Sequence, residues 1–211
     1  MRVPTLVWMT LAAAFVLVRP TAAHATQVPA SIEQTVRRAC GTGALSAAGP
    51  WTSGTDSFWA GVVWREASPT ACLVLVRAQR GAARVEAFGS IPAGYSTRYD
   101  EFFAPTLRAD PLAVEGFVPA PVLDATQMGA GGGGGDRTTV WLARGGHFTL
   151  AFDAMLNAAS DINTAVETPC PSLPPIDVAR RNGRVELRAR SCFDGRYYRI
   201  RMRFDGTRFV D

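Results

Sequence analysis

The 211-residue chain contains no lysine; all 22 of its basic side chains besides histidine are arginine. Together with the abundance of Ala, Gly and Pro, this points to a genome rich in GC codons. Arginine is then the only strong cation available, and its presence alone says less about anion recognition than it would elsewhere. Histidine is nearly missing as well, with only His24 and His147. There is no G-x-S-x-G, so no motif supports a Ser/His/Asp triad around His147. There is no C-x-x-C and no paired histidine, which argues against zinc. The glycine-rich run 129–135 lacks the lysine and hydroxyl of a phosphate-binding loop and reads as a flexible connector. The longest apolar run, 6–18, is too short to span a bilayer comfortably. No nucleotide, metal or haem motif stands out, so neither a cofactor nor a nucleic-acid partner is expected.

What is present begins with a targeting pattern. Arg2 supplies a positive start, 6–18 is apolar but for Thr10, and Ala23-His24-Ala25 has the small-x-small form of a signal-peptidase site. The expectation is a signal peptide over 1–25 and an exported chain, periplasmic or secreted, with no transmembrane segment after cleavage. An uncleaved anchor helix is the competing reading. Export makes an even cysteine count a disulfide signal. Cys40, Cys72, Cys170 and Cys192 allow three pairings, of which Cys40–Cys72 and Cys170–Cys192 close the short loops.

The expected fold is mainly β: an antiparallel, barrel-like meander with a short N-terminal helix and a C-terminal three-strand meander. Strands are expected at 58–65, 71–79 and 83–88, with turns at 66–70 and 80–82. The middle strand, Cys72-Leu73-Val74-Leu75-Val76, is apolar on both faces and calls for cover on both sides. In the third, Val85 and Ala87 alternate with Arg84 and Glu86. A helix is expected at 31–40, capped by Ser31 with Gln34 completing a capping box, and with Ile32, Val36, Ala39 and Cys40 on one face. A helix packed on a sheet and stapled by Cys40 outweighs a lid over a pocket. Pro119 and Pro121 limit 112–124 to short edge strands. A hairpin is expected at 138–143 and 147–152, turning at Arg144-Gly145-Gly146, with Phe148, Leu150 and Phe152 on one face. A helical or irregular return follows over 153–166. The proline-rich 168–175 divides a β-rich domain, 26–167, from a basic meander, 168–211, packed on the same domain.

Two groups of residues are candidates for binding. Tyr95, Tyr99, Phe102 and Phe103 crowd around Arg98, Asp100 and Glu101. Aromatics among charges suit a ligand rim or a plug at the open end of a barrel. The closing meander, with strands at 185–190, 197–204 and 207–210, has Tyr198, Ile200, Met202 and Phe204 on one side. Arg199, Arg201 and Arg203 take the other side, and Arg184, Arg188 and Arg190 share one face of the preceding strand. If those strands pair with their apolar sets together, all six arginines lie on one side, offset only by Glu186. A solvated surface is the competing reading.

The cluster Trp59-Ala60-Gly61-Val62-Val63-Trp64, opening a strand meander, resembles the entry of lipocalin-type small barrels over about residues 51–152. The G-x-W spacing of that family is not met, since two residues separate Gly61 from Trp64. The resemblance implies a closed barrel with a small apolar pocket and carries over no binding residue. The functional expectation is an exported, non-enzymatic binding protein of the bacterial cell envelope. Its ligand is either a small apolar molecule or an anionic envelope polymer. The alternatives are a secreted inhibitor or interaction module with a protein partner, and a hydrolase using Asp100, Glu101 or His147.

Overall fold

The computed structural model describes residues 27–79, 81–130, 132–160, 170 and 175–211. The expected signal peptide, the end of the return over 153–166 and most of 168–175 lie outside them. Among the described residues one helix, α1 (Ala30–Cys40), precedes fourteen strands. Four form a meander, β1 (Ala44–Ser53), β2 (Asp56–Trp64), β3 (Thr70–Gln79) and β4 (Ala82–Pro92), in that spatial order and antiparallel throughout. The other ten are β5 (Gly94–Ser96), β6 (Glu101–Phe103), β7 (Thr106–Leu107), β8 (Val122–Met128), β9 (Gly134–Arg144), β10 (His147–Ala159), β11 (Ile176–Arg181), β12 (Arg184–Phe193), β13 (Arg196–Phe204) and β14 (Phe209–Val210). Their order is β14-β13-β12-β10-β9-β8-β5-β6, with β11 beside β12 and β7 beside β8. Pairing is antiparallel except where two residues of β10 meet β12 and two of β5 meet β8. The fold is mainly β, as expected, but the sheets are curved and open, not closed into the barrel that the lipocalin likeness implied.

The doubly apolar β3 is covered on both sides. Val74 and Val76 pack under α1 with Ile32, Val36, Trp59 and Val63. Leu73 and Leu75 face the second sheet, meeting Leu107, Leu123 and Trp141. The helix sits close because Gly61 has no side chain: a Cβ there would lie 2.8 Å from Val36. A strand glycine often marks such an approach. Gly61 therefore serves helix docking, not a barrel entry. The helix begins one residue earlier than expected, with Pro29 at its N-cap and no side-chain capping bond. Ser31 lies inside it and offers its carbonyl to Thr35 Oγ1 at 2.7 Å, so the expected capping box does not form.

The far face of the second sheet carries its own core. Val122, Val140, Leu142, Phe152 and Leu156 pack against Leu187, Ala189 and Phe209, with Ile200, Met202 and Phe204 alongside. The C-terminal meander thus lays its apolar face on β8–β10. Both disulfides have the expected pairing, each with Cα atoms 5.6 Å apart. Cys40–Cys72 ties the end of α1 to β3, and Cys170–Cys192 ties the connection to β12.

Several local expectations are corrected. β1 was not foreseen, because Ala-Ala-Gly-Pro has little strand character; it is an edge strand whose register shifts at Gly49-Pro50. β8 starts directly after Pro121 and has neighbours on both sides, so 122–124 is no edge. Residues 153–159 continue β10 as strand. β10 bulges at Ala151, which puts Phe148 and Leu150 on the side of the first meander and Phe152 on the opposite one. A similar shift in β4 separates Val85, 42% exposed, from the buried Ala87. Gly134 and Gly135 are not connector: they belong to β9, where a Cβ would collide with the carbonyls of Gln127 and Asn157. β11 also went unforeseen, and its hairpin turns on Asn182 and Gly183, both at positive φ.

Candidate functional site

The register of β12 and β13 pairs Glu186 with Arg203, Arg188 with Arg201, and Arg190 with Arg199. Because parity fixes the side, the apolar partners Leu187–Met202 and Ala189–Ile200 turn inward and every one of these charged pairs turns outward. The six arginines of the closing meander therefore share one surface. β11 extends it, placing Asp177 opposite Arg188 and Arg181 opposite Arg184. At the next rung beyond Arg199–Arg190, Tyr197 stands opposite Cys192 and is 61% exposed.

Like charges set opposite one another across strands are destabilising. Two adjacent rungs here consist of arginine alone, and Arg184, Arg188, Arg190, Arg199, Arg201 and Arg203 make no ion pair among the described residues. Asp177 does not neutralise Arg188 within 4 Å either. The Nε of Arg188 is buried and has no hydrogen-bond acceptor among the described residues. Asp177, Arg188, Arg190, Arg199 and Arg201 line a groove of about 360 Å³ on this surface. A planar guanidinium donates two parallel hydrogen bonds to a carboxylate or phosphate, so four of them in a groove form a concentrated anion-binding surface.

Of the four aromatics, Tyr95 and Phe102 are paired across β5 and β6 with their ring centres 4.9 Å apart, whereas Tyr99 and Phe103 make no ring–ring contact among the described residues. Phe102 and Phe103 line a cleft of about 920 Å³ with Trp64, Glu66, Asp100 and Glu101. Tyr95 lines a separate depression with Met128 and Met155. Its hydroxyl donates to Asp100 Oδ1 at 2.7 Å, and that hydrogen bond, chiefly, raises its pKa above the ordinary tyrosine value. Tyr99 is exposed, with the Arg98 guanidinium 5.2 Å from its ring centre. Asp100 and Glu101 do not form a facing pair: Asp100 sits in a turn at φ 55° and is held by Tyr95, while Glu101 opens β6. His147 is exposed at the start of β10 opposite Arg144.

One polar constellation was missed in the sequence. Arg108 grips Asp124 through two hydrogen bonds, 2.7 and 2.8 Å, and Thr138 Oγ1 donates to the same carboxylate at 2.5 Å. Asp124 is 5% exposed. The alternation of 122–128 around a lone aspartate gave the only hint. The triad ties Arg108, the residue after β7, to β8 and β9 across the sheet, which makes it a structural link.

No family model matches the chain, and no curated protein or solved structure matches it either.

Proposed function

We propose that the protein is an exported, non-enzymatic binding protein of the bacterial cell envelope, and that its outer arginine face takes an anionic polymer. The observation that carries this reading is the pair of all-arginine rungs, Arg188–Arg201 and Arg190–Arg199, whose side chains form no ion pair among the described residues. A sheet under folding pressure alone gains by mixing signs on neighbouring strands. Elsewhere in the chain Arg77, though opposite Arg84 on β4, is neutralised by Asp56 and Glu86. The lack of lysine therefore does not account for arginine rungs that form no ion pair. Two disulfides and the targeting pattern over 1–25 support an oxidising compartment, the periplasm or the exterior. An apolar ligand has less support, because the interfaces between the layers are filled by Leu73, Leu75, Leu123, Trp141 and their neighbours.

The test is polyphosphate binding measured over a salt series. Contacts at an exposed surface are screened within about 8–10 Å at physiological ionic strength. Affinity should fall steeply with salt for the parent. Replacing Arg199, Arg201 and Arg203 together by Gln should weaken binding and flatten that dependence. A triple variant that binds like the parent at low salt would reduce the face to a solvated surface and end this reading.

A further inference from the structure

Resting on the reading of the arginine face, we infer that its ligand is a phosphorylated saccharide, held by phosphate at the arginine rungs and by a sugar ring on Tyr197. Three features beside the arginines select this class. The first is Tyr197, which precedes Arg199 by two residues on β13 and so stands on the same surface, at the next rung of that face. Successive rungs on one face lie about 6.6–6.8 Å apart along a strand. A phosphate between Arg190 and Arg199 thus has an aromatic ring within one sugar's length.

The second feature is the exposure of that ring. Tyr197 is the most exposed of the large apolar or aromatic side chains among the described residues, at 61%. It makes no ring contact and no hydrogen bond there, so burial in this fold does not explain it. Opposite it stands the buried Cys192, tied by its disulfide to Cys170, so no bulky partner on the rung covers it. An aromatic face offers apolar surface to the C–H side of a pyranose while its hydroxyl remains wet.

The third feature is Asp177. It lines the groove beside Arg188, Arg190, Arg199 and Arg201 and forms no ion pair with them. An unpaired carboxylate in a cationic groove weakens its grip on a plain polyanion. It accepts hydrogen bonds from hydroxyl groups, which a sugar has and an inorganic polyanion lacks. Phosphate is favoured over carboxylate as the anion because each phosphate presents three acceptor oxygens, enough to bridge both arginines of a rung. The groove volume, about 360 Å³, lies at the small end of the range for ligand sites, which suits one or two sugar units of a longer chain.

The test compares three probes, phosphomannan, unphosphorylated mannan and inorganic polyphosphate, by calorimetric titration of the oxidised protein. The parent should bind phosphomannan more tightly than polyphosphate and should not bind mannan. Tyr197→Ala should weaken phosphomannan about fivefold, the scale of one lost aromatic contact, and leave polyphosphate unchanged. Tyr197→Phe, which keeps the ring, should restore the affinity. Asp177→Asn should strengthen polyphosphate, by removing a like charge, without strengthening phosphomannan to the same degree. Equal effects of Tyr197→Ala on both phosphate probes, or none on either, would overturn the saccharide inference while the polyanion reading stands. Tight binding of unphosphorylated mannan would overturn it too. Failure of the parent to bind either phosphate probe would bring down the polyanion reading together with it.

Discussion

The two meanders of this chain both set arginine opposite arginine, Arg77 against Arg84 in the first and Arg188 against Arg201 and Arg190 against Arg199 in the second, and they differ in how that charge is met. In the first, β3 is buried on both faces, and Arg77, at its end, is flanked by Asp56 at 3.3 Å and Glu86 at 2.9 Å, with its guanidinium 5.3 Å from the Phe58 ring centre. In the second, β12 and β13 bury one face only, and the other holds arginine against arginine. Where both faces of a sheet are covered, packing fixes nearly every side chain. Where one face is open, the fold constrains only alternate residues and leaves the rest free for a partner. A residue type confined by composition to one cation is informative here, because its surroundings differ so sharply between the two sheets.

That contrast can be broken or sharpened by substitution, and the largest effects belong to the buried side. Asp124→Ala removes the buried carboxylate that Arg108 and Thr138 grip and should cost about 3–5 kcal/mol in urea unfolding. Leu75→Ala, at a position with no exposure, should cost about 2–5 kcal/mol. Gly61→Ala should lift α1 from β2 by forcing Val36 aside, at about 1–3 kcal/mol, and a thermal melt would record it. Equal losses from Arg201→Gln would erase the distinction between the meanders.

The charged positions give smaller effects of opposite sign. Arg77→Gln should lower stability by up to about 1 kcal/mol, because a partly exposed ion pair is lost. Arg201→Gln should leave stability unchanged or raise it, since the substitution relieves a like-charge rung. The turn that links β13 to β14 adds a pH dependence. Asp205 accepts backbone hydrogen bonds from Arg208 and Thr207 and one from the Thr207 hydroxyl, which lower its pKa from 3.8 to about 2. A depressed folded-state pKa means that its contribution is complete above the unfolded value and fades as pH falls through 3.8 toward 2. Asp205→Asn should remove that part of the acid sensitivity, as read from stability between those pH values. His147→Ala should leave any hydrolytic activity found in a substrate panel unchanged; a hundredfold loss, about the scale of a removed general base, would favour the enzyme alternative.

Much of the fold was legible because periodicity and turn residues agree. The doubly apolar β3, the Gly145-Gly146 turn and the Arg/apolar alternation of β13 each announce their place. What escaped has physical causes. Single-residue bulges at Ala151 and in β4 flip the parity on which face assignments depend, and nothing local marks them. β1 is held by pairing with β2 rather than by its own propensity, as tertiary context allows. The glycines at 134 and 135 read as a linker by composition, though close packing of β8 and β10 requires them. At the site, the arginine face followed from parity alone, whereas the contact of Tyr95 with Phe102 depends on the pairing of the short strands β5 and β6, which no local pattern marks. The groove further required β11, which was not foreseen, to bring Asp177 beside Arg188.

The claim at the centre is that the outer face keeps its arginines for a partner and at a cost to the fold. The double variant Arg190→Gln/Arg199→Gln tests it most directly, with melting temperature and polyphosphate affinity measured on the same sample. Both side chains are exposed and face one another across β12 and β13. The expected result is a rise in stability of a few tenths to about 1 kcal/mol together with a clear loss of affinity that low salt does not restore. A melting temperature that falls, or stays put while polyphosphate binds as before, would contradict the claim.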